Sequence, residues 1–102
     1  MERVADLDEV PDLGRKAVIL QDEIPALLLR VGDVYYCIED VCTHDGQPLT
    51  DGPLEGDEIE CPRHGARFDI KTGRATRMPA NEPIRSFDTE VREDGVYVRV
   101  DD

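Results

Sequence analysis

Two short clusters, Cys42-Thr43-His44 and Cys61-Pro62-Arg63-His64, are separated by sixteen residues and hold both histidines and two of the three cysteines of the chain. A metal centre accounts for that arrangement, and little else does. Whatever fold the chain adopts has to carry both clusters to one place. The third cysteine, Cys37, lies in the apolar run Val34-Tyr35-Tyr36-Cys37-Ile38. With Cys42 and Cys61 assigned to metal it has no partner for an internal disulfide, and it reads as a small core residue rather than a redox-active thiol.

A chain of 102 residues supports a modest core but not two independent ones, so residues 1–102 are expected to form a single domain. Its 12 Lys and Arg against 24 Asp and Glu give a net charge of −12. The acidic residues are spread along the chain and no basic run occurs, which argues against nucleic acid or an anionic membrane surface as a partner. The same charge suits solubility, a salt-rich habitat or the steering of a basic protein partner. The start, Met1-Glu2-Arg3-Val4-Ala5-Asp6, lacks the basic and apolar segments of a secretion signal, and no apolar run is long enough to span a bilayer. A soluble, cytoplasmic monomer is the expectation.

The chain reads as short β-segments between turns. Ala26 to Val31, Gly32-Asp33 and Val34 to Ile38 have the form of a hairpin with a two-residue turn. Phe87, Thr89 and Val91 alternate with charged residues, Glu93-Asp94-Gly95 reads as a turn, and Val96, Val98 and Val100 resume the alternation, which makes a second hairpin. Lys16 to Leu20 is a further strand. The sole helix candidate is Asp6 to Val10, with Asp6 as N-cap and Pro11 close behind. The predicted class is all-β.

Residues 41 to about 80 differ in character. Five of the eight glycines (46, 52, 56, 65 and 73) fall there, with Pro48, Pro53, Pro62 and Pro79, a composition rich in turns and poor in long strands. Two β-compatible pieces remain, Glu58 to Cys61 and Ala66 to Ile70, which put the second ligand cluster at or beyond strand ends. The picture is a small metal-binding lobe inserted in an antiparallel β-sandwich or barrel base.

Thiolates are charge-donating ligands for ferric iron and neutral imidazoles are weaker donors, so a mixed set makes two irons inequivalent. With two ferric irons, two sulfides and two thiolates the formal charge is zero and becomes −1 on reduction. Four thiolates would take it from −2 to −3, so replacing two Cys by two His raises the potential. Two Cys and two His also satisfy tetrahedral zinc, and a zinc-stabilised interaction module is the competing reading. Its spacing fits poorly, because zinc modules usually place Cys with Cys and His with His, whereas each cluster here mixes the two.

The stretch from Cys42 through Leu49, followed by Cys61-Pro62-Arg63-His64-Gly65-Ala66-Arg67-Phe68-Asp69, resembles the two cluster-binding loops of Rieske-type [2Fe–2S] ferredoxins. The likeness extends over nearly the whole chain, through the hairpin before Cys42, the Thr72-Gly73 turn and the return from Pro79-Ala80 to Phe87. It implies a β base carrying a cluster lobe, with Cys42 and Cys61 on an inner iron and His44 and His64 on an outer one. The two imidazoles would lie near solvent and serve as the electron exit. Gln47, Pro62, Arg63, Gly65, Ala66 and Phe68 would surround the ligands.

In the Rieske proteins of respiratory and photosynthetic complexes, the positions matching Gln47 and Arg63 are cysteines joined by a disulfide, and those matching Ala66 and Phe68 carry hydroxyls directed at cluster or ligand sulfur. None of these groups is present here, which implies a disulfide-free centre at the low end of the Rieske range, of order −150 mV rather than +300 mV. Rieske-type oxygenases also need a mononuclear iron held by two further histidines and a carboxylate, and this chain has no histidine left for one. The resemblance therefore implies not an enzyme but an electron carrier, receiving one electron from a flavin-dependent ferredoxin reductase and passing it to a terminal non-heme iron oxygenase. The same carrier could serve another pathway, in iron–sulfur metabolism or a nitrite-reductase-like assembly. Around the histidines, Gly46, Gln47, Pro48, Leu49, Pro62 and Gly65 form a small rim suited to brief docking, with Leu49 also placed to anchor its loop inward. Arg63 and Arg67 are expected to pair with local carboxylates, and Arg63 is also a docking candidate.

Overall fold

The run Ala26-Leu27-Leu28-Leu29 breaks the polar–apolar alternation of a half-exposed strand, and the computed structural model, which describes residues 1–100, explains it: all four side chains are buried. Ten strands form among the described residues: β1 (Glu2–Ala5), β2 (Arg15–Leu20), β3 (Ile24–Val31), β4 (Val34–Glu39), β5 (Leu54–Glu55), β6 (Glu58–Glu60), β7 (Arg67–Asp69), β8 (Ala75–Arg77), β9 (Ser86–Arg92) and β10 (Gly95–Arg99). They make an antiparallel six-stranded sheet in the order β1-β10-β9-β4-β3-β2 and a four-stranded one in the order β5-β6-β7-β8. The all-β expectation holds.

The hairpin β3–β4 is a wall shared by two cores. Ala26, Leu28, Tyr35 and Cys37 pack with Leu20, Phe87, Val96 and Val98 inside the base. Leu27, Leu29 and Ile38 point the other way, into a core completed by Leu49, Ile59, Phe68, Ile70 and the two predicted ligand cysteines, Cys42 and Cys61. A strand covered on both faces has no reason to alternate, because every position gains by being apolar. Each fully buried leucine contributes on the order of 1.5–3 kcal/mol. Cys37 is buried as expected, and that burial pushes its thiol up to about 12.

The large sheet curls so that its two edge strands approach. Lys16 on β2 donates from Nζ to the carbonyl of Val4 on β1 at 2.9 Å, and the backbone N–H of Gln21 donates to Glu2 Oε1 at 2.9 Å. Side chains thus link the edges that no backbone ladder joins.

Both predicted hairpins form. Val31 pairs with Val34 across Gly32-Asp33, where Gly32 takes the positive φ of 64° at the first turn position. In the second hairpin Gly95 pairs with Arg92, so the turn is Glu93-Asp94 and Gly95 opens β10. At that position β10 needs a glycine, because a Cβ at Gly95 would lie 2.5 Å from the Ala5 carbonyl oxygen on β1. The helix expected over Asp6 to Val10 does not form. Glu9 N–H bonds to Asp6 O at 3.2 Å and Asp6 N–H to Glu9 Oε1 at 3.1 Å, a reciprocal cap around a single turn. Five residues ahead of a proline cannot meet the cost of helix nucleation.

The small sheet carries the second ligand cluster. Arg67 on β7 lies across it and pairs with Glu55, Glu58 and Glu60, with Nε to Glu60 Oε1 at 2.9 Å. Gly73, with φ of 80°, packs so tightly under the returning chain that a Cβ would stand 2.0 Å from Ile84 O. Its carbonyl accepts the Ile84 N–H at 2.9 Å, which ties the β7–β8 turn to the segment that leads into β9.

Candidate metal centre

The two ligand-bearing segments close on themselves in the same way. In the first, Gly46 N–H bonds to Cys42 O at 2.7 Å and Cys42 N–H to Gln47 O at 2.8 Å. In the second, Gly65 N–H bonds to Cys61 O at 3.1 Å and Cys61 N–H to Ala66 O at 2.7 Å. Each glycine sits four residues after its cysteine in the left-handed region, with φ of 74° and 77°, a conformation glycine adopts without steric cost. The loops are therefore equivalent, although His44 is two residues from its cysteine and His64 three.

The equivalence sets the layout of the donors. Cys42 and Cys61 are fully buried beneath the loops, while His44 and His64 are exposed at the tip, the latter with half its side chain in solvent. The imidazole rings stand edge to face with centroids 5.1 Å apart. The two thiol sulfurs and an Asp45 carboxylate oxygen lie within 4.8 Å of one another, and neither histidine joins that group. The donors thus form an inner pair of sulfurs and an outer pair of nitrogens. A single tetrahedral zinc would draw all four together at about 2.0–2.3 Å from one ion, so the layout fits two metal ions with unlike ligands better than it fits zinc.

Burial raises the Cys42 thiol above its ordinary value. The backbone N–H of His44 opposes that shift, the neighbouring Cys61 thiol adds to it, and the N–H of Asp45 opposes it again. Those two N–H groups would likewise favour a sulfur that carries negative charge.

All four predicted ligands are brought to one end of the molecule. Around them, Ala66 and Phe68 are fully buried, Gly46, Gln47, Pro48 and Pro62 are exposed, and Gly65 is half-buried. Leu49 leaves the rim and packs into the core, as its anchoring alternative anticipates. Arg63 is paired: Nε donates to Asp45 Oδ2 at 2.7 Å, Nη2 to Asp45 Oδ1 at 3.3 Å, and Nη2 to the Pro48 carbonyl at 3.0 Å. The guanidinium, with help from the Gln47 N–H, holds the Asp45 carboxyl well below the usual carboxylate range.

Three supporting residues were not assigned from sequence. Asp40, almost fully buried, accepts the Leu49 N–H at 2.7 Å and the Thr50 hydroxyl, and so fixes where the first loop rejoins the core. Thr43 donates its hydroxyl to Glu82 O at 2.8 Å, tying that loop to the returning chain. Asp45 accepts the Gln47 N–H at 3.0 Å as well as the Arg63 pair, and stands 3.8 Å from His64 Nε2. Only Asp45 carried a local signal, since Asp before Gly marks such a turn.

Comparison with known proteins agrees with this geometry. A family model described as the Rieske [2Fe-2S] domain matches residues 2–88. The chain is similar to ferredoxin CarAc of Metapseudomonas resinovorans, with 46% identity over 74 residues, covering 72% of this chain and 69% of that one. It is also similar to the ferredoxin component of the naphthalene 1,2-dioxygenase system of Pseudomonas aeruginosa, with 36% identity over 95 residues, covering 93% and 88%. Among solved structures, a chain of the complex of reduced oxygenase and oxidized ferredoxin in carbazole 1,9a-dioxygenase superposes with a TM-score of 0.88 at 37% identity, covering 95% of this chain and 99% of that one.

Proposed function

The chain belongs to the Rieske [2Fe–2S] domain family, and from that premise we propose that it is a ferredoxin carrying one electron from a flavin-dependent reductase to a terminal non-heme iron oxygenase. The observation that carries the proposal is the layering of the donors, with thiols sealed inside and imidazoles exposed at one tip. The names of its relatives, ferredoxin components of dioxygenase systems, support the oxygenase as acceptor.

When bound, the [2Fe–2S] cluster supplies a one-electron couple whose two irons differ through their ligands. The protein's own residues do the rest. Cys42 and Cys61, buried, would hold one iron away from water, and His44 and His64, exposed, would hold the other. The N–H groups of His44 and Asp45 stabilise charge on the Cys42 sulfur. The exposed rim of Gly46, Gln47, Pro48 and Pro62 lets a partner approach the histidine edges without large side chains in between. Ala66 and Phe68 offer no hydroxyl to the sulfurs, which supports a midpoint at the low end of the Rieske range, of order −150 mV. The whole of residues 1–102 acts as one module in the cytoplasm, a monomer that binds neither nucleic acid nor membrane; no helix of the described residues is long and apolar enough to cross a bilayer.

The test is spectroscopic and then functional. The purified protein should be coloured, give a Rieske-type EPR signal on one-electron reduction, and pass electrons from a flavin reductase to an oxygenase of the carbazole or naphthalene type. A colourless, EPR-silent protein that binds zinc would overturn the reading, and a midpoint well above zero would overturn its low-potential part.

A further inference from the structure

No second pair of cysteines joins the two ligand loops; all three cysteines of the chain are free and buried. The loops nevertheless have to stay closed over two buried sulfurs. Arg63 sends three hydrogen bonds from the second loop to the first. Its guanidinium reaches two positions on the first loop, the Asp45 carboxylate and the Pro48 carbonyl, which lie on either side of Gln47. The pair is partly screened from solvent, with 33% of the Arg63 side chain and 18% of the Asp45 side chain exposed, so water competes less than at an ordinary surface ion pair.

We propose that Arg63 and Asp45 form a noncovalent clasp that closes the two ligand loops over the metal centre and presents it with two opposed, balanced charges, so that losing either one shifts its potential. The inference rests on the cluster reading given above. Both residues act as positioning groups. Asp45 faces His64 at 3.8 Å, and the guanidinium lies close enough to both thiols to interact with each. The cationic end favours the more negative reduced state and the anionic end opposes it. Bound to each other, the two largely cancel at the centre while holding the loops together.

That double role makes a distinctive prediction for two single variants. In R63Q and in D45N the loops lose their cross-link, so absorbance loss in the presence of an iron chelator should run roughly two- to tenfold faster than in the unaltered holoprotein. Their midpoints should move in opposite directions, down in R63Q and up in D45N. The double variant D45N/R63Q should lose its cluster no faster than the quicker single variant, because the link is broken only once. R63K, which keeps the charge but not the fork, should hold a near-native midpoint with an intermediate rate of loss.

Midpoints that shift the same way in both single variants would show general loosening of the tip and overturn the electrostatic part. Native loss rates in both would overturn the clasp. The dependence on the cluster reading is separable, because an unaltered protein lacking stoichiometric iron and sulfide would fail that reading before any variant is made. Should one single variant fail to fold, R63K and the other single variant still decide the question.

Discussion

The two ligand loops share one backbone design and are held by different means. The second loop is the connection of a hairpin: Cys61 follows β6, Ala66 precedes β7, and the ladder between those strands fixes it. The first loop leaves β4 and enters the irregular stretch before β5, where no ladder is available. It is fixed by side chains instead: Asp40 on Leu49 and Thr50, Thr43 on Glu82, and Arg15, whose Nη1 donates to Thr50 O at 2.8 Å and also to Gly52 O. The same backbone turn can therefore be anchored by a strand ladder or by side chains, and the second kind of anchor can be removed by a single side-chain substitution. The first loop should be the fragile half of the site.

The largest test of that contrast is Asp40→Ala, which strands a buried N–H and a hydroxyl. It should lower holoprotein stability by about 3 kcal/mol, seen in the urea midpoint. A loss under about 1 kcal/mol would mean that the first loop does not depend on its carboxylate anchor. Next come Gly46→Ala and Gly65→Ala, which force a Cβ into the left-handed region in open space. Each should cost about 1–2 kcal/mol, and the two costs should match. Clearly unequal values would break the equivalence of the turns.

Thr43→Val should cost about 0.5–1 kcal/mol, because the hydroxyl it removes is only partly buried. Its loss should also accelerate hydrogen exchange in the first loop while leaving the second unchanged. The smallest effect concerns the cysteine that serves neither loop. With its thiol raised to about 12 by burial, Cys37 should resist iodoacetamide at pH 8 in the native holoprotein and react only after unfolding. The sign follows from linkage: the folded value is raised, so stability due to the neutral thiol is complete below about pH 8.5 and declines as pH climbs towards 12.

Much of the fold was readable because the base hairpins obey period-two alternation and end in recognisable turns. Val96 and Val98 point inward and Arg99 outward, as their spacing demands. That the four candidate donors would meet at one end of the molecule was readable because thiols and imidazoles at that spacing have few other uses. Asp6 to Val10 was misread since capping signals say where a helix can start, not whether enough residues follow. The anchors Asp40 and Thr43 left no trace, because what makes them matter is a contact formed only by folding: Glu82 is 39 residues from Thr43. Gly52 is similar, its necessity arising from the Glu60 carbonyl that a Cβ would meet at 1.9 Å.

The two-sided burial of the β3–β4 hairpin links the fates of the two halves. Were the small sheet to come away, Leu27, Leu29 and Ile38 would face water; were the base to open, Ala26, Leu28 and Cys37 would. Neither half can melt alone without wetting one side of the same strands, at a cost of several kcal/mol. Heating should therefore bleach the visible absorption and erase the β-sheet circular dichroism in a single transition, so that for this molecule losing its colour and losing its fold are one event.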